Sequence, residues 1–376
     1  MRNLISRMVE ATPGLSVADK AMNGNFALQK IPRANPDIIV LDLEMPEMNG
    51  IEFLKERKKL GIDIPVIILS SIARRGAEIT MEALSLGASD FIMKPSGSAS
   101  DDVRQVQHQL TDMLLAYGGQ YRSGKGARPA AGRTAKAPAL PPQAPAAPGS
   151  GAAAPAAQAP AAAAPTLSSA STILSRQAAA RKPGPVEIIA IGISTGGPNA
   201  LRDVFAKLTP DLSQPILVVQ HMPAGFTAEF AKSLDRICPL EVKEAAEGDL
   251  LKPGRILIAQ GDKHLEVEKK ALGAVVHLSD APAVNGHRPS ADVLFASVAR
   301  EYGNRALGVI MTGMGKDGAK ELGAIRQEGG QTLGQDEASC IVYGMPRVAW
   351  EMGSVQEQVG LDKMAERICA LAKEHP

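Results

Sequence analysis

The chain has 376 residues, of which 45% are hydrophobic and 22% charged, with a formal net charge of +1 at pH 7. This is enough apolar sequence for two or three buried cores, but its apolar runs are too short to span a membrane and the charged N-terminus MRNLISRMVEATPG is unlike a secretory signal. Three widely spaced cysteines exclude a disulfide framework and a Cys-x-x-Cys metal site, so we expect a cytoplasmic protein without membrane insertion.

The N-terminal region, residues 1–117, alternates apolar runs with amphipathic segments. DIIVLDLEM and IPVIILSS are typical of buried parallel strands, whereas Gly50–Leu60 and Ala77–Leu86 have helical spacing. Strand ends are followed by Asp42, Ser70 and Lys94, and α/β sheets place their sites at such ends. A carboxylate flanked by a hydroxyl and an ammonium group suits a phosphorylatable aspartate.

The motifs LDLEMPEMNG and MKP, together with Ser70, resemble the receiver domains of response regulators. The resemblance implies a flavodoxin-like fold in which Asp42 is the phosphoacceptor, Ser70 the switch hydroxyl and Lys94 the lysine that contacts the phosphoryl group. It also implies the backbone of Glu44 as a magnesium ligand and a histidine kinase as phosphodonor. Taken alone, Asp42 would also fit an aspartate that merely caps the next turn.

The start of the chain departs from the receiver pattern. A receiver begins with a strand that ends in an acidic pair, whereas MRNLISRMVEATPGLSVADKA resembles the helix that follows this strand. We therefore expect a receiver lacking its first strand and binding Mg²⁺ weakly, since Asp42, a carbonyl and waters supply little charge. Either the given start is internal to a longer chain, or the domain folds poorly and is phosphorylated weakly.

Residues 118–185 are rich in alanine and proline, which predicts an extended linker. Eight lysines and arginines and no acidic residue lie between Asp112 and Glu187. These charges are diluted and have no aromatic partners for stacking bases, so we expect no nucleic-acid binding.

The C-terminal region, residues 186–376, alternates again and predicts a doubly wound parallel sheet. HLEVE and AVVHLSD, separated by a short turn, predict an antiparallel hairpin at one edge of that sheet. The strand-like runs are EIIAIGI, PILVVQ, GRILIAQ and RALGVIM, and the expected helices are Asn199–Leu208, Thr227–Ile237, Ala291–Glu301 and Gly318–Glu328.

Three of these strands are followed by Ser194, His221 and Asp317. A serine becomes nucleophilic when an imidazole takes its proton, and the imidazole needs a carboxylate to fix its tautomer. Each residue also has a simpler interpretation. Gly-x-Ser-x-Gly fits a tight turn or a phosphate-binding loop, and Asp317 fits a helix cap. His221 alone fits a structural turn histidine, while His264 and His287 are either substrate contacts or structural residues.

IGISTGGPNAL, VVQHMPAGFTAEFAKSLD, PAVNGHRPSADVLFASVA, GVIMTGMGKDGA and TLGQDEASCIVYGMPRVA together resemble the chemotaxis protein-glutamate methylesterases (CheB). The resemblance implies hydrolysis of glutamate methyl esters and deamidation of glutamines on methyl-accepting chemoreceptors, without a cofactor for catalysis. It assigns Ser194 as nucleophile, His221 as base and Asp317 as orienting acid. Thr195 and Met314 match positions that line the family's site.

The order of a receiver followed by a catalytic domain implies control by phosphorylation, with the receiver covering the active-site face until Asp42 is modified. The long linker should weaken that inhibition by lowering the effective concentration of the receiver. A non-catalytic, phosphorylation-controlled adaptor and an esterase for small molecules remain alternatives. A dinucleotide-binding enzyme fits poorly, because Ser194 occupies the second glycine position of Gly-x-Gly-x-x-Gly.

Overall fold

The structure is a computed structural model, which describes residues 1–71, 74–95, 100–125 and 182–374. Most of the predicted linker, residues 126–181, lies outside the described residues. Helix α5 (Ser100–Gln120) continues past residue 117, the predicted end of the N-terminal domain. None of the helices in the described ranges is both long and apolar enough to cross a lipid bilayer.

The N-terminal region is an α/β unit whose described strands form a parallel sheet in the order β1-β2-β3. Helix α3 begins with a capping box, in which the Asn49 side chain accepts from the Glu52 N–H and the Glu52 carboxylate accepts from the Asn49 N–H. The other elements are α1 (Arg2–Glu10), α2 (Gly24–Ala34), β1 (Ile39–Asp42), α3 (Gly50–Lys59), β2 (Val66–Ser70), α4 (Arg74–Ser85) and β3 (Asp90–Met93).

Strand β2 is central in this sheet, and the whole of VIILS is buried because helices cover both faces. Strand β1 lies at an edge of the sheet. Beside β1 there is a cleft of about 600 Å³, which is also lined by residues 15–22 and by Leu114 of α5. The described chain therefore has a strand edge next to open space, at the position where the sequence predicts that a strand is lacking.

The C-terminal region is built on a parallel sheet in the order β12-β11-β10-β4-β5-β7-β6. Its strands are β4 (Ile188–Ile193), β5 (Ile216–Gln220), β6 (Glu241–Glu244), β7 (Arg255–Ile258), β10 (Ala306–Ile310), β11 (Gln331–Gln335) and β12 (Glu357–Val359). Its helices are α6 (Gly197–Phe205), α7 (Phe226–Asp235), α8 (Ala291–Tyr302), α9 (Ala319–Gln327), α10 (Met345–Glu351) and α11 (Leu361–Glu374).

The predicted hairpin is present as β8 (His264–Lys270) and β9 (Gly273–Ser279), but it forms a separate two-stranded sheet and does not extend the main one. It packs against α8, where the Ser297 hydroxyl accepts a hydrogen bond from the Val267 N–H at 3.1 Å. Its buried side chains, including Leu265 and Val276, join the core beneath α8. The apolar face of α8 thus determines where the hairpin lies.

Strand β4 is the point at which the order of the main sheet reverses. The chain continues from β4 to β5 on one side, whereas β10 pairs with β4 on the other side. In open α/β sheets, the loops at such a switch point diverge and leave a crevice for a site. The segments after β4, β5 and β10 are those that carry Ser194, His221 and Asp317.

Candidate active site

The structure brings the three strand-end side chains together. The Ser194 Oγ lies 3.1 Å from the His221 Nδ1, and the His221 Nε2 lies 2.9 Å from the Asp317 Oδ2. The side chains of His221 and Asp317 are 7% and 1% exposed, so this contact is shielded from water, while Ser194 is only half-buried. An ionised carboxylate can only accept, so the His221 Nε2 carries a proton and the Nδ1 is free to accept from the serine hydroxyl.

Asp317 is held by several donors besides the imidazole. Its Oδ1 accepts from the Ser290 hydroxyl at 2.6 Å and from the Asn285 amide at 2.9 Å, and its Oδ2 also accepts from the Ala291 N–H at 2.6 Å. Burial alone would raise the pKa of this carboxyl. The hydrogen bond and charge of His221, and the hydrogen bonds from Ser290 and Asn285, instead hold the pKa well below its usual value. Asp317 is therefore an anion at neutral pH.

Asp317 lies at the N-terminus of α8, not of the helix that follows it in sequence. Helix α9 begins after Gly318, which has no side chain to cap it. The Glu321 N–H in the first turn of α9 instead donates to Asp292 of α8. The partial positive charge at the start of α8, together with the Ala291 amide, stabilises the Asp317 anion. The cap predicted for Asp317 alone is thus made to a different helix.

His287 and His264, the two histidines left open by the sequence, have different surroundings. The His287 ring stacks on the His221 ring, with centroids 3.7 Å apart and planes 9° apart. Burial and the neighbouring His221 lower the pKa of His287 to about 4, so it is neutral at pH 7. His264 is fully buried, bonding the Pro282 carbonyl through Nε2 and accepting from the Ser290 N–H at Nδ1. His264 therefore supports the loop that carries Ser290.

Thr195 and Met314 flank the serine on two neighbouring loops. Thr195 is buried beside it, and its carbonyl accepts from the Thr312 hydroxyl. Gly313 packs so closely that a Cβ there would lie 2.8 Å from the Ser194 Cβ. Within the described part of the chain, the N–H groups of Thr195 and Met314 donate to no protein acceptor. Both amides are therefore available for a substrate oxygen.

In the receiver-like unit, the structure places Lys94 against Asp42. The Lys94 Nζ is 2.8 Å from the Asp42 Oδ1 and 3.7 Å from the Glu44 Oε2. The Ser70 hydroxyl lies at the end of β2, where it shares a 2.7 Å hydrogen bond with Thr80 and contacts the Ser71 carbonyl. Lys94 and Asp42 thus form an ion pair, while the Ser70 hydroxyl is hydrogen-bonded to its own neighbours.

The same residues fit a magnesium ion poorly. Mg²⁺ prefers near-octahedral oxygen ligands with at least one or two free carboxylates. Here one oxygen of Asp42 already binds the Lys94 ammonium group, and the Glu44 side chain is 70% exposed. Across the described ranges, no three His, Cys, Asp or Glu side chains cluster as metal ligands do. Asp42 and Glu44 therefore do not form a magnesium site in this arrangement.

Sequence reasoning missed Asn285, Ser290 and Asp90. Asn285 and Gly286 form an Asn-Gly pair, a signal for a tight turn, but nothing local shows that the turn points at Asp317. Asp90 is a buried residue of the receiver-like unit whose Oδ2 accepts from the Gly196 N–H at 2.8 Å, two residues beyond Ser194. Contacts over such sequence distances leave no periodic pattern to detect.

The fold and site define a doubly wound α/β domain with a serine, histidine and aspartate at a switch point of its sheet, joined to a receiver-like domain. A CheB methylesterase family model matches residues 189–368, and a response regulator receiver domain model matches residues 1–105. A protein-glutamate methylesterase/protein-glutamine glutaminase of Treponema denticola is 58% identical over 100% of this chain and 96% of its own length. One from Treponema pallidum is 54% identical over 98% of this chain and 93% of its own.

Among solved structures, the catalytic domain of the Thermotoga maritima CheB methylesterase is 37% identical to this chain. The match covers 50% of this chain and 98% of the Thermotoga chain, with a TM-score of 0.49. From its matches to the relatives over nearly full length, the chain belongs to the CheB family of receiver-containing protein-glutamate methylesterases/protein-glutamine glutaminases.

Proposed function

We propose that this chain hydrolyses methyl esters of glutamate side chains, and deamidates glutamines, on the cytoplasmic parts of chemoreceptors, under control of its receiver. The observation that carries the proposal is the continuous contact from the Ser194 Oγ through His221 to Asp317. The names of the Treponema relatives support the choice of glutamate esters and glutamine amides as substrates.

In this reaction the His221 Nδ1 takes the hydroxyl proton while the Ser194 Oγ attacks the ester carbonyl carbon. The tetrahedral intermediate then collapses, its bond to the methoxy oxygen breaks, and methanol leaves with the proton from His221. Water attacks the resulting glutamyl-serine ester in the same way, releasing the free carboxylic acid and returning the proton to Ser194. Deamidation follows the same course with ammonia as the leaving group.

The intermediate carries a negative charge on the former carbonyl oxygen. The unengaged N–H groups of Thr195 and Met314 are suited to stabilise it, the first at the turn leading into α6 and the second on the loop after β10. The positive end of α6 adds to this stabilisation. Asp317, an anion at neutral pH, stabilises the imidazolium that forms at His221.

The contacts between the two α/β units support control by the receiver. Asp90 accepts from the Gly196 N–H, and the Asn199 amide at the start of α6 donates to the Ala88 and Ser89 carbonyls at 3.0 and 2.9 Å. Phe91 stacks on Phe226 of α7, with ring centroids 5.2 Å apart. The receiver thus contacts the segment directly after the nucleophile, and phosphorylation of Asp42 by a histidine kinase would act by weakening these contacts.

The experiment is to measure methanol release from a methylated receptor. Ser194→Ala and His221→Ala should lower the rate by roughly 10⁵-fold or more, because they remove the nucleophile and its base, and Asp317→Asn by about 10⁴-fold, because it removes the carboxylate that orients the base. Ser213→Ala, at an exposed serine used only through its carbonyl, is the matched control and should keep the full rate. An unchanged rate in all three relay variants would refute the esterase, leaving the adaptor.

Control by the receiver is tested separately. With the cognate kinase as phosphodonor, the wild-type chain should be labelled and its rate of methanol release should rise, whereas Asp42→Asn should show neither effect. Stimulation that persists in Asp42→Asn would place the phosphoacceptor elsewhere.

A further inference from the structure

A four-residue turn places Asn285 between two buried carboxylates. The backbones of Val284 and His287 exchange hydrogen bonds at 3.0 and 2.9 Å, which leaves Asn285 and Gly286 as the central residues, with φ of 53° and 80°. Asn-Gly is the pair that tolerates two successive left-handed residues best. The geometry of this turn aims the Asn285 side chain towards the start of α8.

The Asn285 amide donates twice. Its Nδ2 lies 2.9 Å from the Asp317 Oδ1 and 2.7 Å from the Asp292 Oδ2, so both of its N–H groups have acceptors. A neutral double donor therefore separates two acidic groups whose charges repel. Burial is the main cause that raises the pKa of Asp292. The negative charge of the nearby Asp317 raises it further.

The amide also restricts how Asp317 can turn. With Oδ1 occupied by Asn285 and Ser290, the remaining oxygen Oδ2 is left to the Ala291 N–H and to the His221 Nε2. A carboxylate fixed in this way presents one oxygen in line with the imidazole. The same turn places His287 on the face of the His221 ring.

We propose that Asn285 is a positioning residue for the relay, which orients the Asp317 carboxylate and thereby sets the pH at which His221 acts as a base. This inference rests on the esterase function proposed above. The titratable and charged groups that face the cluster are His221 after β5, His287 on the turn, Asp292 on α8, and Lys320 and Glu321 on α9.

The test uses Asn285→Gly and Asn285→Asp in the full chain. Glycine keeps the left-handed turn but removes the amide, so less of the Asp317 charge is neutralised and His221 should hold its proton to higher pH. The midpoint pH of the acid limb of the kcat/KM profile should rise by about half a unit with glycine. It should rise by about one unit with aspartate, because aspartate adds a negative charge. With glycine, kcat should fall about tenfold and KM should stay unchanged, because both N–H groups of the Asn285 amide are bound to carboxylates and are not free to bind substrate.

The His221 titration is measured independently by NMR of the histidine rings, of which the chain has six. Its midpoint should rise with the acid limb. Matched controls are Asn35→Gly and Asn35→Asp, since Asn35 is an exposed left-handed asparagine (φ 42°) at the end of α2, and neither should shift the midpoint. A midpoint unchanged in Asn285→Gly would overturn the inference, even if activity fell. A shifted midpoint in a chain that releases no methanol would uphold it while refuting the proposed esterase.

Discussion

The Oδ2 of Asp90 accepts a hydrogen bond from the backbone N–H of Gly196 at 2.8 Å, linking the last strand of the receiver sheet to the turn after Ser194. The same oxygen accepts from the Tyr117 hydroxyl, and its partner oxygen accepts from the Phe91 N–H. On the other side of the turn, a Cβ at Gly196 would lie 2.9 Å from the Ile341 side chain. The turn is therefore held between a receiver carboxylate and a loop of the catalytic domain.

Replacing Asp90 with alanine should raise the activity of the unphosphorylated chain. The substitution leaves the buried Gly196 N–H without its acceptor, which costs about 1–3 kcal/mol and weakens the hold of the receiver on the turn. We expect methanol release about threefold to tenfold faster than wild type before phosphorylation, and a smaller response to the kinase. Asp112→Ala, at an exposed aspartate of α5, is the control. An unaltered basal rate would argue against the restraint.

The pH dependence of stability should also report on Asp90. Burial raises its pKa to about 6, although the hydrogen bonds from Gly196, Phe91 and Tyr117 oppose this. Because the folded state holds the proton more tightly than the unfolded state, the stabilisation is present below pH 3.8 and is lost as the pH rises through 6. Between pH 4 and 7.5, the wild type should lose about 2 kcal/mol of unfolding free energy relative to Asp90→Asn, as measured by urea titration. Parallel curves for the two proteins would contradict this.

Asn199 and Asp90 should act on one interface. Asn199→Ala removes two hydrogen bonds to the receiver, at the Ala88 and Ser89 carbonyls, and should raise basal methanol release by itself. In the double variant the increase should be smaller than the product of the single effects, since either change already loosens the same contact. Independent, multiplicative effects would show that the two residues restrain the enzyme separately.

The ring of His287 should matter for its shape more than for its charge. His287→Ala exposes one face of His221 and should lower kcat about tenfold, whereas His287→Phe keeps a stacked ring and should stay within about threefold of wild type. Methanol release at pH 7.5 distinguishes the two. His108→Ala, at an exposed histidine of α5, should have no effect. Equal losses in the alanine and phenylalanine variants would mean that a ring nitrogen is required.

Gly313 should tolerate no side chain. An added Cβ would lie 2.4 Å from the Met345 sulfur and 2.8 Å from the Ser194 Cβ, and Met345 is fully buried. Gly313→Ala should therefore displace the serine and lower methanol release by at least about tenfold, with a lower melting temperature. Gly119→Ala in α5, where a Cβ meets no atom within 4 Å, is the matched control. Full activity in Gly313→Ala would show that the loop can yield.

The sequence indicated the parallel sheets and the strand ends that carry polar residues, because apolar runs such as IIAIGI and ILVVQ are local signals. Once β4, β5 and β10 are neighbours, Ser194, His221 and Asp317 must lie at one edge. The hairpin was also visible, but its separation from the main sheet depends on packing against α8, a contact that its own alternation does not encode.

Contacts between segments that are far apart in the chain could not be predicted from the sequence. Asp90 bonds to Gly196, which lies more than a hundred residues away in the sequence. Asn285 and Ser290 bond to Asp317 from a loop that is also hydrogen-bonded to His264. Each is a polar residue whose neighbours in sequence are unremarkable turns or strand ends. Their partners are fixed only by the way the helices pack on the sheet.

The turn at residues 284–287 places both the Asn285 amide against Asp317 and the His287 ring against His221. A single inserted or deleted residue there would displace both groups at once. We therefore expect the length of this turn to be fixed, although changes in loop length are a common way for enzymes to diversify. Changes of specificity would have to arise on other loops around the serine.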